Sequence, residues 1–419
     1  MPDQREPAAA TGAAEPIDLD RIRRAALAGE DVVRETPVLS SRTISERVGA
    51  TVALKAENLQ RTGSFKLRGA LAKIAALDAR AAAAGVVAGS AGNHGQAVAY
   101  AARARGIACE VFMPLSAPNQ KVDACAEFGA TVRLVGASVD ETLAAARARA
   151  REAGMTFVHP FDDPDVIAGQ GGVGLELARQ VADLALIVVP VGGGGLVSGV
   201  AIAAKALAPR ARVVGVQVDR CAPVPASLAA GRAVEPAGGG PTIADGIAVK
   251  RPGELTLELM GEWVDEVVVV PEDSVAEAMV LLIERAKLVV EGAGAVGVAA
   301  LLGGQVAPAA AGTTAVVLSG GNVDPGVLSL VARRHESQAG RRLVVLTRLP
   351  DRPGALATLL SLVGAQSANL LDITHVREGI DLHVRESAVQ LVLETRGAEH
   401  AAEVLAAIAA AGYETRTLA

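Results

Sequence analysis

A chain of 419 residues is too long for one ordinary core, so two or three domains are expected. Hydrophobic residues make up 51% and aromatics only 2%, which requires a core of Val, Leu, Ile and Ala, as in parallel strands under Ala-rich helices. A net charge of -6 without a basic run argues against nucleic acid and anionic membrane surfaces as partners, and three cysteines (Cys109, Cys125, Cys221) without C-x-x-C spacing argue against a disulfide framework or a zinc site and fit the cytoplasm.

Residues 1–16 are polar, Ala-rich and acidic, lack the basic start and apolar run of a signal peptide, and read as a flexible leader. No apolar stretch is long enough to span a bilayer. From Ala53 to about Leu318 short apolar strands alternate with helical patterns. Val86–Ala88 precedes a helix near Asn93, Cys109–Met113 one near Gln120–Phe128, and Thr131–Val135 one over Glu141–Glu152. Leu186–Val189, Val213–Val218, Glu266–Val270 and Ala315–Leu318 follow, each with helical sequence after it. This βαβ rhythm predicts a parallel sheet with helices on both faces. The polar run from Arg333 to Gly340 breaks the rhythm and predicts a linker over residues 331–342. Beyond it the order changes: strand Leu343–Leu346, helix Ala355–Val363, strands Asn369–Val376 and Val389–Leu393, helix Ala401–Ala411, and a closing strand Tyr413–Thr417. That β-α-β-β-α-β order is ferredoxin-like.

Four stretches carry chemistry. In the run Lys55 to Ala70, a polar turn leads into a helix with Ser64 expected as its N-cap. Lys66 then falls in the first turn, where the positive helix end favours the neutral amine that reaction with an aldehyde requires. A lone lysine of this kind is ordinarily a solvated surface residue; the surrounding pattern decides against that. Ser90-Ala91-Gly92-Asn93-His94-Gly95-Gln96 follows a strand and opens a helix, a junction whose exposed N–H groups form an anion site. Asn93 there serves equally as an N-cap, and His94 equally as a structural residue. Gly192, Gly193, Gly194 and Gly195 let the backbone wrap a phosphate at another helix start. A dinucleotide site is the competing reading of that loop, but the G-x-G-x-x-G spacing is absent. Leu318-Ser319-Gly320-Gly321-Asn322 follows the last strand of the large unit.

These stretches, in this order, resemble the serine/threonine dehydratase family of fold type II (tryptophan synthase β-like) pyridoxal-phosphate enzymes, over roughly Asp18 to Leu330. The resemblance implies an α/β catalytic domain over residues 17–330, with parallel sheets in two subdomains, the smaller (about 55–155) inserted. It implies pyridoxal 5′-phosphate bound covalently by Lys66, with Phe65 packed on its ring and Asn93 at its 3-hydroxyl oxygen. Gly192 to Gly195 and Leu196 surround its 5′-phosphate, and Ser319 receives its pyridine nitrogen. A hydroxyl cannot keep that nitrogen protonated, which suits expulsion of a β-hydroxyl better than transamination. Ser90, Ala91, Gly92, Asn93 and His94 take the substrate carboxylate. The segments Thr242–Ala248 and Glu291–Ala295 border the cofactor. Residues 343–419 resemble an ACT domain, with Asp351, Pro353, Gly354, Ala355, Leu356 and Asn369 as effector-binding residues; a purely structural dimerisation module is the alternative.

The expected activity is dehydration of threonine to 2-oxobutyrate and ammonia, in isoleucine biosynthesis or threonine catabolism, by a homo-oligomer regulated by an amino acid. The alternatives are a serine-selective dehydratase or racemase on the same scaffold, and a catalytically inactive amino-acid sensor. Ala91 stands where similar serine racemases carry a serine, and a methyl has no proton to exchange. Gln217 replaces the glutamate of a divalent-cation site in some relatives, with Cys221 and Pro223 following, so no metal is expected. Gly172 stands where the resemblance leads one to expect threonine.

Overall fold

The computed structural model describes residues 15–236, 238–378 and 381–418; residues 1–14 of the expected leader lie outside them. The chain divides between Val323 and Asp324 into two compact units.

Ten strands are described in the first unit: β1 (Val38–Ser40), β2 (Val52–Lys55), β3 (Val86–Gly89), β4 (Cys109–Met113), β5 (Thr131–Leu134), β6 (Thr156–Phe157), β7 (Leu184–Pro190), β8 (Arg212–Val218), β9 (Glu266–Val270) and β10 (Thr313–Val317). They form a six-stranded sheet in the order β1-β2-β10-β7-β8-β9 and a four-stranded sheet in the order β5-β4-β3-β6. Every pairing is parallel except that of β1 with β2. All residues of β3, β4 and β10 are buried. Such near-continuous apolar runs are what a strand covered on both faces requires. Small side chains let the covering helices approach closely: every residue from Gly292 to Leu301 of the Gly292–Leu302 helix is buried. Both parallel sheets expected of the large unit are therefore present.

In the second unit, β11 (Arg342–Pro350), β12 (Asn369–Val376), β13 (Glu386–Glu394) and β14 (Thr415–Thr417) form a sheet in the order β12-β13-β11-β14, antiparallel where its pairings are given. Helices Ala355–Ala365 and Ala398–Ala410 complete the ferredoxin-like order. Val345, Leu391, Leu359 and Val404 are completely buried in its core. The expected linker is corrected here. Residues up to Gln338 belong to a helix, Pro325–Gln338, begun by Pro325 in its first turn and capped by the Asp324 carboxylate. The polar run that reads as a linker is the exposed to half-buried end of that helix, Arg333 to Gln338, and the two residues after it.

Candidate active site

The chemistry-bearing stretches of the first unit lie just past the carboxyl ends of strands, the edge at which open α/β sheets take ligands. β2 and β10 pair in parallel, with Lys55 opposite Val317. The stitching continues beyond them: Phe65 N–H donates to Ser319 O (3.0 Å), Gly321 N–H to Gly63 O (2.9 Å), and Ser64 bridges Gly320. Lys66 and Ser319, about 250 residues apart in sequence, are thereby held side by side through backbone hydrogen bonds.

The helix bearing Lys66 begins at Lys66 itself, after Phe65, and no side chain caps it. The expectation that Ser64 is the N-cap is therefore wrong: its hydroxyl is buried without a partner. The strand-like bridge to Gly320 holds Ser64 away from the helix N–H groups. Lys66 is half-buried, and its Nζ donates to Pro160 O at 2.8 Å. Burial pushes its pKa down to about 8, partly opposed by the negative Glu291. At pH 7 about a tenth of the amine is then neutral, far more than for an ordinary lysine. The Phe65 ring lies 5.1 Å from Nζ and packs on the large-sheet core.

Two residues on from Lys66, Arg68 is buried and bonds both Glu57 and Glu176. Lys55 joins the same network through Glu176 (2.5 Å), Gln180 (2.8 Å) and Thr36 O (2.6 Å). At Gly69 a Cβ would collide with the Gln170 amide and sit 2.8 Å from Val166 O. The Lys66–Ala75 and Pro164–Gln170 helices thus cross at a glycine, and Lys73 ties them with bonds to Asp163 (2.8 Å) and Asp165 (3.1 Å).

After β3, the N–H of Gly92 turns back to Ser90 Oγ (3.1 Å), and Asn93 opens the helix Asn93–Ala104. The Asn93 side chain accepts from Asn322 Nδ2 and donates to Glu291 Oε1, each at 2.8 Å. His94 points elsewhere: its ring is buried on Val158 O (2.8 Å), and burial pushes its pKa down to about 3. Only its backbone remains for the substrate-binding role expected of it. Ala91 packs against the small-sheet core.

After β7, Gly194 begins the helix Gly195–Leu207 with φ of +100°, a conformation that glycine adopts without strain. The N–H groups of Gly192, Gly193 and Gly194 donate to no backbone group among the described residues. The Leu196 side chain is buried in the large-sheet core, so its backbone alone could face a phosphate. Ser319, after β10, is also buried. Uncommitted N–H groups at a helix start suit a phosphate, and the depressed Lys66 amine suits an aldehyde. The partnerless hydroxyl of Ser64, two residues before Lys66 in the chain, adds a polar group with bonding capacity to spare. Pyridoxal phosphate fits these residues.

The sequence reading missed the segment His159–Asp162, which follows β6. Pro160 O holds Lys66, and a Cβ on Gly193 would collide with the Phe161 ring. The Thr256 N–H donates to Asp162 Oδ1 at 3.1 Å. His159 Nδ1 accepts from the N–H groups of Phe161 (3.3 Å) and Asp162 (2.7 Å), and burial pushes its pKa down to about 4. The available signal was positional: the segment stands past a strand end, like the motifs that were recognised. Among the departures, Gln217 is fully buried and bonds Val191 O (3.1 Å) and the Val224 N–H (2.9 Å). A Cβ on Gly172 would lie 3.4 Å from Arg68 Nη1, an ordinary contact.

In the second unit, Asp351 is exposed and pairs with Arg377 (2.8 and 3.0 Å), which holds its carboxyl below the usual range. Pro353 and Gly354 are exposed, Ala355 and Leu356 half-buried, and Gly354 has φ of +84°. Asn369 donates to Glu394 Oε2 at 3.1 Å, and Glu394 stands opposite Arg342 at the start of β11. Pro350, at the end of β11, stands opposite Glu386. Asn369 and the Asp351–Leu356 turn therefore lie at opposite ends of the sheet, roughly 27 Å apart at the rise of a strand. One copy of the chain does not bring these expected effector residues together.

Comparison with known proteins agrees with this geometry. An L-threonine ammonia-lyase of Thermotoga maritima is 44% identical over 400 residues, covering 96% of this chain and 99% of its own. A catabolic L-threonine dehydratase of Escherichia coli is 42% identical over 312 residues, covering 74% of this chain and 94% of its own. Among solved structures, maize serine racemase matches with a TM-score of 0.72 and 37% identity, covering 77% of this chain and 98% of that one. The processed form of threonine deaminase isoform 2 from Solanum lycopersicum matches with a TM-score of 0.70 and 33% identity, covering 75% of this chain and 93% of that one. The family model for pyridoxal-phosphate dependent enzymes matches residues 30–320, which contain the Lys66 turn, the glycine loop and Ser319, and the chain belongs to that family.

Proposed function

We propose that this chain is a threonine dehydratase, converting L-threonine to 2-oxobutyrate and ammonia. The observation that carries the reading is the Lys66 amine, with its pKa near 8, in a unit whose strand ends also bear the glycine loop, Asn93 and Ser319. Relatives named for threonine supply the substrate class.

Bound pyridoxal phosphate supplies an electron sink for the α-carbon. The backbone N–H groups of the Ser90–His94 turn hold the substrate carboxylate, and those of Gly192 to Leu196 hold the phosphate. Ser319, buried after β10, would receive the pyridine nitrogen. With the cofactor bound, Lys66 Nζ would take the α-proton as general base, and Pro160 O, which accepts from that nitrogen at 2.8 Å, would steady it. The β-hydroxyl leaves as water, and one water is taken up when ammonia is released, so the sum is threonine to 2-oxobutyrate plus ammonia.

The structural match to maize serine racemase favours a second reading on the same scaffold. Against it, Ala91 offers a methyl where a second proton donor is needed. Turnover of threonine and of serine by the purified protein, with D-serine measured, separates the two. Threonine is expected to give the higher kcat/KM, with no D-serine formed; preferred serine turnover or D-serine formation overturns the assignment.

We further propose that residues 343–419 act as an ACT domain in a cytoplasmic homo-oligomer, with a branched-chain amino acid, isoleucine first, as effector. β12 is the sheet's edge strand, with Leu371 and Ile373 exposed. Antiparallel pairing of β12 with the same strand of a second copy would bring the Asp351–Leu356 turn of one copy to Asn369 of the other.

A further inference from the structure

Glu291 stands at the start of the Gly292–Leu302 helix, yet its carboxylate does not cap that helix. It is only 4% exposed and turns instead between loops. A Cβ on Gly320 would collide with Glu291 Oε1, and one on Gly246 would lie 3.2 Å from it. Two glycines from separate loops thus leave room for one carboxylate oxygen. That oxygen accepts from Asn93 Nδ2 at 2.8 Å. On the far side, Asn322 Nδ2 donates both to Asn93 Oδ1 (2.8 Å) and to Thr62 O (2.8 Å).

The chain of bonds has a fixed sense. Thr62 O can only accept, so Asn322 must present its nitrogen there; its second N–H then makes Asn93 Oδ1 an acceptor. Asn93 must consequently turn its nitrogen to Glu291, whose ionised form accepts that N–H. With Glu291 ionised, both ends impose the same amide orientation. One N–H of Asn93 is consumed by Glu291, and the other is the single donor that Asn93 retains.

Resting on the reading that Asn93 serves the cofactor, we infer that Glu291 is a positioning residue that acts through Asn93: it fixes the amide so that the remaining N–H faces the cofactor's ring oxygen. The groups of either charge around it are consistent with this. Burial and the like charge of Asp245 push the Glu291 carboxyl up to about 7, while Asn93, Lys121 and the backbone of Asn322 act in the opposite sense. Lys66 senses its negative charge. A buried carboxyl held at that disadvantage on an asparagine amide is a costly way to fill space.

The test is pyridoxal-phosphate affinity, with the absorbance spectrum of the loaded protein, for Asn93→Ala, Glu291→Leu, Glu291→Gln and the double variant Asn93→Ala/Glu291→Leu. Glu291→Leu is expected to weaken cofactor binding roughly tenfold, the loss of about one hydrogen bond to a charged group, and to shift the absorbance maximum. Glu291→Gln retains an accepting oxygen and should restore both. In the Asn93→Ala background the leucine substitution should add nothing. If Asn93→Ala impairs binding while Glu291→Leu leaves affinity and spectrum unchanged, or if the two losses add in full, Glu291 does not act through Asn93. If Asn93→Ala itself changes neither, the assignment of Asn93 to the cofactor falls, and the inference with it. Should the leucine variant not fold, Glu291→Asp, whose shorter arm withdraws the oxygen from Asn93, is measured instead. It must show the affinity loss and shifted spectrum, and a wild-type result refutes the inference.

Discussion

Lys66→Ala removes the amine that Pro160 O holds in place. It should abolish both the visible absorbance of the bound cofactor and keto-acid formation; wild-type turnover in that variant would end the mechanism. The depressed pKa yields a second expectation. Loading of cofactor-free protein with pyridoxal phosphate needs the neutral amine, so its rate should rise with pH through a midpoint near 8, not near 10.5. Stopped-flow absorbance between pH 6 and 10 measures this. His94 bears on stability. Its folded pKa, about 3, lies below the ordinary 6.5, so between those values the unfolded chain binds the extra proton, and stability falls as pH drops from 6.5 towards 3. His94→Gln keeps a donor for Val158 O and should flatten that part of the stability curve; an unchanged acid limb by urea titration would count against neutral His94. Lys66, Asn93 and the glycine run stand out in the sequence because each sits in a short local pattern. The contacts of Glu291 and Pro160 do not, because they are made with segments about 100 to 200 residues away.

The helix that presents Lys66 is anchored at two points, and each has its own test. Arg68 is held by Glu57 and Glu176, and Glu57 is fully buried. Removing one partner of such a cluster strands a charge, so Glu57→Ala should cost about 3–5 kcal/mol in stability by chemical denaturation. Gly69→Ala forces a methyl towards Val166 O at the helix crossing. An overpacking cost of about 1–3 kcal/mol is expected, with slower cofactor loading because Lys66 rides on the displaced helix. Stability and loading rate both at wild-type values would show that the crossing does not hold Lys66. Strand order along the chain was readable because apolar runs alternate with helical spacing. The two-residue β6 was too short to show any period, which concealed the segment after it. In the second unit, alternation reveals faces but not ends, and the separation of Asn369 from the Gly354 turn follows from register alone.

Two units joined at Asp324 invite a test on the intact chain and on a chain ending there. The E. coli relative, matched over 94% of its own length in 312 residues, has too little chain left for a second unit of this size. Residues 1–323 are therefore expected to turn over threonine alone while losing any response to isoleucine. Saturation curves with and without isoleucine on both proteins decide it, and an effector worth about 1–3 kcal/mol of coupling would move the full-length curve by roughly 5–150-fold. If the full-length protein ignores isoleucine and valine alike, the second unit serves another ligand or assembly alone.

The pairing of β2 with β10 also sets a clock during synthesis. Lys55 and Val317 are partners across about 260 residues of intervening chain. A ribosome adding roughly 5–20 residues per second needs roughly 15–50 s to cover that distance. Throughout that interval β2 has emerged without its partner, and the turn bearing Lys66 lacks the Ser319–Gly321 backbone that braces it. The nascent chain therefore cannot take up its cofactor in the native site until nearly all of the first unit has left the ribosome, and chaperones that shield apolar strands should matter most over that window.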